Sequence, residues 1–238
     1  MCFVIAIIER GNTRTKLSVM DKQTNIIESK SWNEFNVDLI HGFLSSDFQN
    51  IRYCNTSRIF EVIPKNWHEV FSTSDWPIEI NYSKNVGVDR LAAVTGARAV
   101  SKKKSLLVIS CGTCLTFSYL NVKNSFQGGA ISPGLSMRMK SMSDYTNSLP
   151  LLEPDFKKKV SQYTSNTETS MQKGAYEGML FEIQHRISLY KRVDPDVQIF
   201  VTGGDGPAFA ESLEYSIFAN PNLEAMGLFA QWSYEKNR

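Results

Sequence analysis

The stretch SLLVISCGTCLTFSY, Ser105 to Tyr119, decides how the rest of the chain is read. Leu106 to Ile109 is a continuous apolar run, the pattern of a strand buried on both faces. Ser110 to Thr113 predicts a turn. Leu115, Phe117 and Tyr119 then alternate with Thr116 and Ser118, which predicts a returning strand. The stretch therefore reads as a β-hairpin with a Gly-Thr tip. The N-terminal region repeats the design. Phe3 to Ile8 is apolar, Glu9 to Thr13 (ERGNT) supplies a turn, and Thr15 to Met20 alternates Lys16 and Ser18 with Leu17 and Val19. Two such hairpins imply a duplicated chain whose glycine-tipped turns face a cleft between the halves, a geometry suited to phosphate.

With 238 residues, 42% of them hydrophobic and 21% charged, the chain has the composition of an ordinary soluble globular protein. At that size folding removes roughly 70% of the unfolded chain's surface, enough for one large or two medium cores. A net charge of +2 is too weak to argue for a nucleic-acid partner, and none is expected. The runs Lys102–Lys104 and Lys157–Lys159 read as solvated helix ends or loops. No apolar run approaches the roughly 18 residues of a membrane span. The first residues lack the basic segment and small-residue site of a signal peptide, so a cytoplasmic location is expected.

The four cysteines, Cys2, Cys54, Cys111 and Cys114, are too scattered for a disulfide framework. Cys111 and Cys114 match C-x-x-C, but a strand pattern follows them, not the helix whose N-terminus activates a redox thiol. No second ligand pair accompanies them to make a zinc site. They are expected to pack a tight hairpin.

Further along, Thr24–Ser29 predicts a third strand, and Ser31 or Asn33 a cap for a helix carrying Phe35, Val37, Leu39 and Ile40. Trp67 and Trp76 are expected in the core or a lid. Val86–Val100 predicts an amphipathic helix with Asp89 and Arg90 in its first turn. Phe126–Ile131 reads as a strand, and Gly128-Gly129 within it implies close approach of another backbone. A helix with Met137, Met139 and Met142 follows, read as gap-filling core. Asn166-Thr167 caps a long helix, Glu168–Tyr190, where Gly174 and Gly178 are expected to admit a neighbouring helix or a ligand. Val197–Val201 is a strand leading into Thr202-Gly-Gly-Asp205, and Asn222–Tyr234 is a terminal helix.

These motifs, in this order, resemble the type III pantothenate kinases of the actin–hexokinase–Hsp70 ATPase superfamily. The likeness rests on Glu9-Arg-Gly-Asn-Thr13 with Lys16, Gly87-Val-Asp-Arg90 and Ser110-Cys-Gly-Thr113 with Thr116. It continues through Gly128-Gly-Ala-Ile-Ser-Pro-Gly134, Leu149-Pro150, Asn166-Thr167 with Gly174, Thr202-Gly-Gly204 and Gly227-Leu228. It covers almost the whole chain. The resemblance implies an α/β fold of two ribonuclease H-like domains, 1–104 and 105–238, flanking an interdomain cleft. It implies ATP-dependent phosphorylation of pantothenate to 4'-phosphopantothenate, the first step of coenzyme A biosynthesis. Asp89 would be the catalytic base. Tyr82, Gly87, Val88, Arg90 and Thr167 would bind pantothenate, with Arg90 on its carboxylate. Glu9, Gly11, Asn12, Thr13, Lys16, Gly112 and Thr113 would bind ATP with Mg2+. A monovalent cation, K+ or NH4+, would sit near Ser110, and the enzyme would be a homodimer with residues of the partner completing the pantothenate pocket.

The chain departs from the family pattern at both phosphate loops. Glu9 and Ser110 each stand where the family has aspartate. Glutamate carries its carboxylate on the order of 1 Å further from the backbone, and a magnesium ion that keeps its waters can absorb or reject that shift. Serine removes a charge outright. Two readings follow: a working kinase with an altered cation arrangement, or a catalytically degenerate relative that binds nucleotide and regulates, as proposed for Bvg accessory factors.

Overall fold

The computed structural model describes residues 5–44, 48, 50–57, 59, 61–83, 85–101, 104–156 and 163–238. Cys2, Phe3, Lys102, Lys103 and Lys157–Lys159 lie outside them. The elements run β1 (Ile5–Arg10), β2 (Thr15–Met20), β3 (Ile26–Trp32), α1 (Val37–Phe43), β4 (Ile51–Asn55), β5 (Trp67–Glu69), β6 (Glu79–Ile80) and α2 (Val88–Val100). They continue with β7 (Leu106–Cys111), β8 (Cys114–Leu120), β9 (Ser125–Pro133), α3 (Leu135–Asp144), α4 (Thr167–Val193), β10 (Gln198–Thr202), α5 (Gly206–Ala210), β11 (Ile217–Ala219) and α6 (Leu223–Lys236). The chain forms two compact units. One comprises residues 1–103, 123–127 and 222–238; the other comprises 104–122 and 128–221.

The first unit is built on a sheet ordered β3-β2-β1-β4-β5. β1 runs antiparallel to β2 and parallel to β4. Alternation decides what each face carries. Ala6, Ile8, Leu17, Val19, Ile51 and Tyr53 cluster with Ile40 of α1 and with Trp67, which is core as expected. α6 packs on β1, and α2 on β4. α2 and α6 cross backbone to backbone. A Cβ on Gly96 would stand 2.0 Å from the Leu223 carbonyl oxygen, and one on Gly227 would stand 1.8 Å from that of Ala92. Only glycine fits at either place, and this crossing draws the C-terminal helix into the N-terminal unit.

The second unit repeats the plan. Its sheet runs β6-β9-β8-β7-β10-β11; the short β6 pairs with the start of β9, and the other five strands carry the plan, with β7 antiparallel to β8 and parallel to β10. Position by position this is the order of the first sheet, so the duplication read from the two hairpins is a duplication of topology. Leu107, Ile109, Cys111, Leu115 and Phe117 meet Met179, Ile183 and Ile187 of α4 in the core. These α4 residues recur at helical spacing and face one way. Gly129, at φ 149°, lets β9 approach β8; a Cβ there would lie 2.1 Å from the Phe117 carbonyl oxygen.

Several boundaries differ from the sequence reading. β3 begins at Ile26 because Thr24, at φ 67°, belongs to a turn in which the Asp21 carboxylate accepts the N–H groups of Gln23 and Asn25. The strand then continues to Trp32, paired with Thr15. Ser31 is therefore in the sheet, and Asn36 caps α1 by accepting the Leu39 N–H at 3.1 Å. Gly174 admits nothing among the described residues: none of their atoms lies within 4 Å of a Cβ placed there, whereas Gly178 faces the Arg138 guanidinium at 3.7 Å. Of the methionines in α3, Met139 is buried and Met137 exposed. Among the described residues no helix is long and apolar enough to cross a membrane.

Candidate active site

Glu9 is the second-last residue of β1, in register with Lys16 on β2 and Cys54 on β4. Their strand neighbours fill the hydrophobic cluster, so all three point to the opposite face, the one covered by α6. Glu9 Oε2 is buried and has no hydrogen-bond partner. Burial pushes its carboxyl up to about 7, the Lys16 charge pulls it back, and the Glu224 charge pushes it further up. Lys16 Nζ donates to Asn222 Oδ1 at 2.7 Å. Asn222 is the N-cap residue of α6, and Glu224 lies in that helix's first turn. Asn222 and Glu224 escaped the sequence reading because only the α2–α6 crossing brings them to β2. At the hairpin tip the Gly11 N–H donates to the Arg14 carbonyl oxygen at 2.9 Å, closing the turn, while Asn12 and Thr13 are exposed.

The start of α2 carries the second group of residues. Gly87 is its N-cap, and a Cβ there would lie 2.4 Å from Asp89 Oδ1. Glycine makes room for that carboxylate, which accepts the Arg90 N–H at 2.9 Å. Asp89 remains open to solvent, yet the protein around it holds its carboxyl above the ordinary value, with the Arg90 N–H and charge opposing the rise. The Val88 side chain is buried in the interior, because it falls on the core-facing side of α2. Arg90 is buried too. Its guanidinium carbon sits 5.6 Å from the Tyr82 ring centroid and 5.5 Å from that of Phe126.

In the second unit Ser110 lies in β7 and not in a turn, because the ladder with β8 continues to the Cys111–Leu115 pair. The turn narrows to Gly112-Thr113. Ser110 is in register with Thr116 on β8 and Thr202 on β10. This is a row of three hydroxyls where the first sheet has Lys16, Glu9 and Cys54. The Gly112 N–H closes its own turn onto the Cys114 carbonyl oxygen at 3.1 Å. Two glycine loops brace this tip. The Gly134 N–H donates to the Thr113 carbonyl oxygen at 3.1 Å, and a Cβ on Gly134 would stand 2.1 Å from the Gly112 oxygen. Gly203, at φ +88°, packs where a Cβ would stand 2.3 Å from the Cys111 oxygen, and the Asp205 N–H donates to that same oxygen at 3.0 Å. Burial and then the Asp205 charge push the Cys111 thiol up to about 12. Burial pushes Cys54 up as well. Neither thiol is nucleophilic at neutral pH, and Cys54, Cys111 and Cys114 are in no disulfide bond. Thr167 is exposed at the start of α4, just after Asn166, whose side chain accepts the Thr169 N–H at 2.9 Å.

Among the described residues no group of three or more His, Cys, Asp or Glu is placed to hold a metal ion. The buried, unpartnered Oε2 of Glu9 nevertheless fits a magnesium ion bound mainly through phosphate oxygens and water, which needs only one or two protein carboxylates.

The doubled sheet with a glycine-tipped hairpin in each half defines the class: an actin/hexokinase-type ATPase fold. A Baf family protein from Campylobacter jejuni superposes with a TM-score of 0.64 at 17% identity, covering 98% of this chain and 100% of that one. The activator of 2-hydroxyisocaproyl-CoA dehydratase from Clostridium difficile, solved with bound ADPNP, superposes at 0.53 with 12% identity, covering 97% and 95%. At such identities the likeness is one of fold. The family model of type III pantothenate kinase matches residues 5–188. The type III pantothenate kinase of Flavobacterium psychrophilum is 32% identical over 98% of this chain and 100% of its own length. The chain belongs to the type III pantothenate kinase family, and is a kinase.

Proposed function

We propose that the protein transfers the γ-phosphoryl group of ATP to the terminal hydroxyl of pantothenate, giving 4'-phosphopantothenate and opening coenzyme A biosynthesis. The observation that carries this reading is the start of α2. Asp89 is open to solvent and holds a carboxyl raised by its surroundings, and the next residue is an arginine fixed between two rings. A carboxylate of raised pKa is the better base for an alcohol, and such help is typically worth roughly 10²–10⁴-fold. As the bond from the γ-phosphorus to the bridging oxygen breaks and the alcohol oxygen attacks, Asp89 takes the hydroxyl proton. Arg90 orients the substrate through its carboxylate; Tyr82, Gly87 and Thr167 line the same substrate.

The glycine N–H groups of both tips are engaged within their own turns. Asn12, Thr13 and Thr113 are the proposed phosphate contacts, with the glycines giving close approach. Lys16 supplies positive charge beside Glu9. Phosphoryl transfer relies on positioning and charge neutralisation. Magnesium held by Glu9 supplies part of that neutralisation when bound. Neutral hydroxyls at Ser110, Thr116 and Thr202 suit a monovalent cation, K+ or NH4+, better than a divalent one. A homodimer in the cytoplasm completes the reading.

A second reading has one observation in its favour: Ser110 leaves the second tip without the family's carboxylate. In that case the chain binds nucleotide and regulates, without turnover. The test is ADP release by purified protein given Mg2+–ATP and pantothenate, with and without potassium or ammonium. Pantothenate-dependent release that the monovalent cation stimulates is expected. No pantothenate-dependent release under either condition would contradict the kinase reading.

A further inference from the structure

The turn that closes on the second hairpin tip is itself held from behind. β9 ends at Pro133, and α3 starts from Gly134, its N-cap. On one side the Gly134 N–H donates to the Thr113 carbonyl oxygen, and the Gly134 backbone packs against the Gly112 oxygen. On the other side Glu182 of α4 takes donors from three residues. Its Oε2 accepts the Ser132 hydroxyl at 3.0 Å and Arg138 Nη2 at 2.5 Å, and its Oε1 accepts Arg186 Nε at 3.0 Å. Arg138 reaches back to the turn as well, donating through Nε to the Pro133 carbonyl oxygen at 2.8 Å. Arg186 in its turn lies over the Phe117 ring, 5.0 Å from the centroid, which ties this end of the network to β8.

An ion pair that merely joined α3 to α4 would need only Arg138 and Glu182, and with both side chains partly open to water it would add little to stability. Here the carboxylate also takes the Ser132 hydroxyl, and the guanidinium also takes the Pro133 carbonyl. Both are turned onto the turn itself. Charge-assisted bonds of this kind fix geometry as well as adding energy. Partial burial works against the charge on Glu182, yet the hydrogen bonds from Arg138, Arg186 and Ser132 outweigh it and hold the carboxyl below its ordinary value. Phosphoryl transfer depends on positioning, and a loop tip is only as well placed as the groups that support it. We propose that Glu182 is a positioning residue for the second hairpin tip: by clasping Ser132 and Arg138 it fixes the turn on which Gly112 and Thr113 rest, and so strengthens the hold on ATP. The inference rests on the reading of that tip as a phosphate loop. It is separate from pantothenate binding, since Glu182 stands about 22 Å along α4 from Thr167.

The test compares wild type with Glu182→Gln, Arg138→Met and the double variant. Lys173→Met serves as control, because it removes an ion pair of α4, with Glu177, that does not involve the turn. Kd for Mg2+–ATP, KM for pantothenate and Tm are read for each. Glu182→Gln keeps the shape and removes the charge. It is expected to weaken ATP binding about tenfold, the size of one lost charge-assisted hydrogen bond, with KM for pantothenate within about twofold of wild type. Arg138→Met is expected to give the same loss, and the double variant no more than either alone, because both open one clasp. Lys173→Met is expected to leave the ATP Kd unchanged. Should Glu182→Gln or Arg138→Met fail to fold, Ser132→Ala removes the third member of the clasp and is expected to weaken ATP in the same selective way. Unchanged ATP affinity, an equal loss for ATP and pantothenate, additive losses in the double variant, or the same loss in Lys173→Met overturns the proposal. Wild type that binds ATP without turning over pantothenate removes the kinase reading, and the ATP affinities still decide this inference. Wild type that binds no ATP takes both down.

Discussion

The two hairpins share a backbone plan and differ in chemistry. In each, a central strand ends two residues after its last apolar position, and a glycine follows: Glu9, Arg10, Gly11 in one and Ser110, Cys111, Gly112 in the other. In the first, the row across the sheet is Lys16, Glu9 and Cys54, with Asn222 holding the lysine and Glu224 close enough to raise the glutamate. In the second, the row is Thr116, Ser110 and Thr202, and the tip is held by backbone contacts from Gly134 and Gly203. One loop is specified by charge and the other by shape. A duplicated fold can thus keep two glycine-tipped hairpins while concentrating its ionic chemistry in one of them.

The largest effect is expected outside both loops. Asp89→Asn should lower kcat by about 10²-fold or more with Tm and circular dichroism unchanged, since the substitution keeps shape and removes the proposed base. Full activity in that variant would leave the hairpins as the only catalytic machinery.

Shape dependence in the second loop is read at Gly203. Alanine there meets the Cys111 carbonyl oxygen and must also hold φ +88°, which costs on the order of 1–3 kcal/mol. Thermal melts should show a drop of several degrees. Gly112 gives the contrasting result, because no atom of the described residues lies within 4 Å of a Cβ built on it. Gly112→Ala should keep the wild-type Tm and raise KM for ATP about tenfold, the size of one lost close contact. A Tm loss there without a KM change would mean that the tip serves folding alone.

Charge dependence in the first loop is read by pH. Glu9 has a carboxyl raised from 4.5 to about 7 in the fold. The folded state therefore holds a proton that the unfolded chain has already released, and stability falls as pH rises from about 4.5 through 7. Glu9→Gln keeps the neutral form at every pH. Its Tm should match wild type near pH 4.5 and exceed it by a few degrees at pH 8. A constant difference across that range would show that Glu9 keeps an ordinary carboxyl.

Much of this was legible in the sequence because it rests on short-range pattern. The hairpins follow from alternation, α2 and α4 from helical spacing, the Asn166 cap from its side chain, and the approach at Gly129 from a glycine pair inside a strand. Other features depend on contacts that pattern does not encode. Gly96 and Gly227 look like ordinary helix glycines until two helices cross at them. Asn222 and Glu224 belong to the first loop only because of that crossing. Phe126 reads as a core residue, and its contact with Arg90 depends on a parallel pairing of two residues. The polarity of Ser110 breaks the apolar run and so predicts a turn, whereas its register with Thr116 and Thr202 keeps it in the sheet. Gly174 shows the opposite failure, since a glycine that suggested close packing faces open space.

The most direct measurement sets the natural protein beside the Glu9→Asp, Ser110→Asp double variant in one pantothenate-dependent ADP-release assay. If one charged loop and one shaped loop are enough, the natural protein turns over and the double variant changes its rate by less than about tenfold, one lost or gained interaction. Turnover confined to the double variant would show that the second carboxylate was needed and that the natural chain is a degenerate kinase.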